Sequence, residues 1–242
     1  MRFLAAWTTA GREIPLRPVM KERREPCCTM KEKTLITSVT PHLQLFLAED
    51  YLPGFYPLLQ SGVRVQAQVG KSVHATFVEE FGLNSQQIDQ IQTVFLDGKA
   101  VDDLDAAVIR DGSTLGLSSA MPGLVGATLR RGSYYAAMRS QITAAETLNT
   151  VTPEPGMITL KLFNLVLAEF ASLFLRRGVW IEKETLHDFL ATRPGDLWRN
   201  CRAVLLDGDR LAPAQVAELS WPDATELICL SVTANGDGPV ST

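Results

Sequence analysis

The 242-residue sequence predicts an α+β fold in which one small domain occurs twice in tandem. Three observations predict it. Two apolar strands, Thr93–Leu96 and Ala203–Leu206, each run into an Asp-Gly pair, Asp97-Gly98 and Asp207-Gly208, the strongest short-range signal for a tight hairpin. An apolar-faced segment precedes each hairpin, Ser72–Phe81 and Glu184–Leu190. Each half then closes on a final apolar strand, Ser113–Ser119 and Thr225–Val232. Residues 43–123 and 158–236 therefore repeat one pattern.

The elements follow in order. Leu43–Leu47 and Ile158–Phe163 open the copies, and the second alternates apolar and polar residues as a half-buried strand should. Aromatic-rich apolar runs lead to Gly62-Val-Arg-Val65 and Gly178-Val-Trp-Ile181, where the glycines accept a positive φ that other residues resist. The helix of the first copy places Val73, Phe77 and Phe81 one turn apart, and that of the second places Leu186, Phe189 and Leu190 together. Ser72 and Thr185 are suitable N-caps. Polar spacers, Val101–Asp111 and Leu211–Asp223, separate each hairpin from its closing strand. The order in each half is β-β-α-β-β.

These elements set the expected boundaries. Residues 1–40 form a disordered basic leader, 41–126 the first domain, 127–156 a helical linker, 157–236 the second domain, and 237–242 a flexible tail. In the linker, Ser133–Leu148 has helical spacing and Pro153 and Pro155 break it. The first 33 residues carry eight Lys/Arg against four Asp/Glu, and Met30 is an alternative start. Net charge is −4 and the pI is about 5.5, which argues against nucleic acid as a partner. No apolar run reaches the ~18 residues a membrane span needs. Four cysteines without a C-x-x-C pair, and three histidines, leave no metal motif and fit a reducing cytoplasm.

The order strand, strand, helix, strand, Asp-Gly turn and closing strand resembles the β-grasp (ubiquitin-like) fold. Arg110-Asp-Gly-Ser-Thr-Leu115 before the last strand is similar to the sulfur-carrier group within it, the small subunit of molybdopterin synthase and the thiamine sulfur carrier. The second copy has Pro222-Asp-Ala-Thr-Glu-Leu227, which lacks the glycine. The resemblance implies two β-grasp domains joined by a helical linker. It also implies chemistry at a C-terminal Gly-Gly, adenylated and then converted to a thiocarboxylate. This chain ends Gly236-Asp-Gly-Pro-Val-Ser-Thr242 instead. Gly123 and Gly126, after the first copy, stand where a carrier tail would be, and the chain continues past them. An adenylating enzyme would be a partner only if the chain were cut there.

Other candidate sites are sparse. His74 and His187 align between the copies as paired ligands or as surface histidines. Val69-Gly-Lys-Ser72 lacks the earlier glycine of a phosphate loop and reads as a turn and helix cap. Ser118 and Ser119 fall in no nucleophile elbow. Asp97 and Asp207 read as turn residues or acids; Asp102, Asp103 and Asp105 as a solvated face or a weak cation site. Trp180, Trp198 and Trp221 read as packing residues. Arg130 and Arg131 with Tyr134 and Tyr135, near Arg139, form the one basic, aromatic cluster outside the leader, suited to a partner surface. The expectation is a non-catalytic, cytoplasmic protein-interaction module without cofactor. The alternatives are a sulfur-carrier-like or accessory protein of molybdopterin-type cofactor synthesis, and an enzyme with a site between the copies.

Overall fold

The structure is a computed structural model, and it describes residues 40–139, 152–193, 195–219, 221 and 224–234. The leader, most of the predicted linker helix and the C-terminal tail lie outside the described residues. Ten strands form one mixed sheet: β1 His42–Leu47, β2 Val63–Val69, β3 Thr93–Leu96, β4 Lys99–Ala100, β5 Thr114–Ser118, β6 Glu154–Phe163, β7 Val179–Glu182, β8 Cys201–Leu206, β9 Asp209–Leu211 and β10 Leu227–Thr233. The helices are α1 Tyr56–Ser61, α2 Val73–Ala75, α3 Ser85–Gln90, α4 Gly123–Leu129, α5 Asn164–Arg177, α6 Lys183–Ala191 and α7 Gly195–Arg199. A π turn, Thr76–Glu80, extends α2, and 3-10 turns cover Glu49–Phe55, Tyr134–Arg139 and Pro213–Glu218.

The strand order, β4-β3-β5-β6-β2-β7-β10-β1-β8-β9, corrects the prediction of two separate β-grasp sheets. Two five-stranded halves are present, but neither is built from one copy of the repeat. β6 opens the second copy and lies in the first half, parallel to β5 and antiparallel to β2. β1 opens the first copy and lies in the second half, parallel to β10 and antiparallel to β8. The first strands have exchanged halves, and the halves meet where Arg64 of β2 pairs with Trp180 of β7. The physical reason is that alternation fixes which face of a strand is buried, not which neighbour it takes.

One face of the sheet carries the core. Leu43, Leu45 and Leu47 of β1, Val63, Val65 and Val69 of β2, and Ile228, Leu230 and Val232 of β10 join one cluster with Phe77, Phe170, Phe174 and Leu186 from the helices. α5 shows why an apolar run of this kind is helical. Val166, Leu167, Phe170, Ala171, Phe174 and Leu175 recur at helical spacing and are buried, while Arg176 and Arg177 occupy the C-terminal turn. Truncating Phe170 to Ala would cost about 3–5 kcal/mol. Gly62 and Gly178 do adopt positive φ, 119° and 99°.

Other local expectations changed. The second-copy helix starts at Lys183 with Glu182 as its N-cap, so Thr185 lies inside it. Ser72 does cap α2, its hydroxyl accepting the Ala75 N–H at 3.1 Å. β6 begins at Glu154, inside the predicted linker, and extends the opening strand of the second copy to ten residues. Of the predicted linker helix, Ser133–Arg139 is described, and Tyr134–Arg139 there forms a 3-10 turn.

Candidate functional site

The basic, aromatic cluster of the sequence belongs to a platform formed by α4 and the Tyr134–Arg139 turn. Two arginines fix it from behind. The Arg131 guanidinium donates to the carbonyls of Ile91 (2.7 and 3.1 Å) and Ile88 (3.1 Å), and its backbone N–H donates to Gln92 at 2.8 Å. These carbonyls end α3, so the cation sits at the helix C-terminus, where the dipole favours it. Burial pushes the Arg131 guanidinium down, and Asp89 and Asp102 oppose the shift. Arg139 is 4% exposed. It donates to the Thr128 carbonyl and, at 2.5 Å, to Asp102. Ser133 Oγ donates to the Ala127 carbonyl at 2.6 Å and closes the connection.

The front of the platform is apolar and open. Tyr134 is 91% exposed, Val125 71%, Leu124 69% and Tyr135 42%. The two tyrosine rings meet edge to face at 5.5 Å. Arg130 is exposed at the end of α4. Of the four residues the sequence singled out, Arg130, Tyr134 and Tyr135 point outward, while Arg131 is an internal clamp. Leu124 and Val125 escaped sequence reasoning. Their signal was two adjacent apolar residues between Gly123 and Gly126, with no periodic partner to bury them.

Gly123 and Gly126 lie within α4. A β-carbon at Gly126 would collide with the Met121 carbonyl, so the turn into α4 requires glycine there. A carrier tail at these positions would require α4 to unwind.

Most of the remaining candidates are engaged structurally. His74 Nδ1 meets Asp105 Oδ1 at 2.9 Å; His187 is exposed on α6. Asp103 accepts the N–H groups of Asp105 (2.9 Å) and Ala106 (3.2 Å), and Asp102 holds Arg139. Among the described residues no group of three His, Cys, Asp or Glu is placed to hold a metal. Asp97 and Asp207 are left-handed turn residues, φ 51° and 52°. Ser118 and Ser119 are buried, and the Ser118 hydroxyl accepts the Asn164 amide at 2.8 Å. Burial pushes the Cys201 thiol up. No described helix is long and apolar enough to cross a membrane.

A second feature lies on the sheet. A cleft of about 740 Å³ opens over one end of β2 and β6, lined by Arg64, Gln66, Gln68, Asp111, Glu80 and Arg177 among others. Lys71 holds Glu80 at 2.7 Å and Glu79 at 2.8 Å, and those hydrogen bonds raise the lysine above its ordinary value.

The chain matches no family model, no curated protein and no solved structure.

Proposed function

We propose that the protein is a non-catalytic protein-interaction module that docks a partner on the α4 platform. One observation carries this: Leu124, Val125 and Tyr134 are more than two-thirds exposed on a segment that Arg131 and Arg139 hold rigid from behind. Exposed apolar groups in a contiguous patch mark interaction surfaces. Tyrosine is enriched among the residues that dominate interface energetics, and a pre-fixed platform lowers the ordering cost of binding. The partner surface is an apolar groove with an acidic rim that meets Arg130.

A photo-crosslinking residue at Tyr134 tests the reading in the cells that make the protein. The same residue at Arg202, exposed on β8, is the control. The expected result is one crosslinked protein at position 134, none at 202, and loss of the product when Leu124 and Val125 are both changed to Ser. Equal products at both positions, or none at 134, would contradict it.

A further inference from the structure

The cleft on β2 points to a second binding mode. β2 pairs with β6 along all seven residues, from Val63↔Leu160 to Val69↔Glu154. With β7 it pairs only once, Arg64↔Trp180, because β7 runs on with β10. Among the described residues no strand flanks Ala67–Val69 on that side. The sheet is therefore notched at its centre, and the cleft over β2 and β6, lined also by Glu80 and Arg177, borders the notch.

The charges of the notch are unequally satisfied. The Glu80 carboxylate is held by Lys71 at 2.7 Å, and Asp111 Oδ1 accepts the Met157 N–H at 2.8 Å. Arg177 donates to the Glu80 backbone carbonyl, a neutral acceptor, and lies 5.9 Å from the centre of the Phe81 ring. Among the described residues no carboxylate pairs with Arg177. Arg64 meets Glu182 at 3.3 Å, with side chains 46% and 62% exposed, a contact weak enough to exchange.

We infer that the notch accepts a short extended peptide carrying acidic residues, added as a strand alongside Ala67–Val69 with its carboxylates on Arg177 and Arg64. A strand advances ~3.3 Å per residue, so about three residues, ~10 Å, line the gap. Main-chain pairing gives such complexes affinity and the alternate side chains give specificity. Guanidinium suits a carboxylate because its planar donors can engage both oxygens. This site is separate from the α4 platform, and neither depends on the other.

Fluorescence anisotropy with the full chain tests it. The probe is a labelled peptide alternating valine and glutamate. Comparison probes replace glutamate by glutamine or methylate the backbone nitrogens, and free glutarate is the competitor. The glutamate peptide should bind. The glutamine peptide, the N-methylated peptide and the Arg177→Gln variant should each weaken binding about tenfold or more, the scale of one charge-assisted contact. Arg177→Lys should recover part of the loss, and matched melting curves check that the variants fold. If Arg177→Gln does not fold, the three peptides on the unaltered chain still decide. No binding of the glutamate peptide, or equal binding of the glutamine or N-methylated peptide, would overturn the inference. So would glutarate competing as well as the peptide, which would mean a carboxylate pocket without strand addition.

Discussion

The Asp207 carboxylate accepts the backbone N–H of His42 at 2.8 Å across 165 residues, and the His42 carbonyl accepts the Asp207 N–H at 3.0 Å. Asp97 makes the same two-bond clasp with Thr114, at 2.7 and 2.9 Å. The two Asp-Gly turns are equivalent, so β1 stands in the second half where β5 stands in the first. Asp207→Ala should therefore destabilise the chain by about 1–2 kcal/mol in urea unfolding. Asp207→Asn should lose less than half of that, since Asn tolerates φ near 52° and keeps an acceptor. Equal losses for Ala and Asn would show that the clasp is not the source.

Much of this local chemistry was legible in the sequence, because it depends on neighbours in the chain. The Asp-Gly hairpins, the glycines before β2 and β7 and the alternation of β6 are all short-range. The exchange of β1 and β6 was not legible. His42–Leu47 buries Leu43, Leu45 and Leu47 equally well beside β5 or beside β8 and β10, since each neighbour offers the same apolar face. The candidate site was half legible for a similar reason. Composition gathered Arg130, Arg131, Tyr134 and Tyr135, but only tertiary contacts turn Arg131 inward and Tyr134 outward. Arg177 was invisible because its setting is made by Glu80, 97 residues away.

The platform should separate stability from recognition. Arg139→Ala removes a buried guanidinium from Asp102 and Thr128 and should cost about 2–3 kcal/mol, discounted because Asp102 is 32% exposed. Tyr134→Ala should stay within about 0.5 kcal/mol of the unaltered chain. Urea unfolding of both variants checks the contrast, and a large loss at Tyr134 would mean that its ring is structural.

The Cys201 thiol should resist alkylation in the folded chain. Burial is the largest influence and raises it above its ordinary 9.0. The folded thiol keeps its proton to higher pH than the unfolded one. Its contribution to stability is thus complete below the ordinary thiol range and falls as pH rises through it. Unfolding at pH 7 and pH 10, compared with Cys201→Ala, should show a smaller alkaline loss in the variant. Rapid iodoacetamide labelling of Cys201 at pH 8 under native conditions would contradict its burial.

The exchanged sheet is tested most directly by backbone NMR contacts between strands. The account predicts contacts between Leu45 and Val204, between Leu45 and Val232, and between Leu115 and Leu160, with none between β1 and β5. Contacts from Leu43–Leu47 to Thr114–Ser118 would instead place each opening strand within its own copy of the repeat, and would contradict the single ten-stranded sheet.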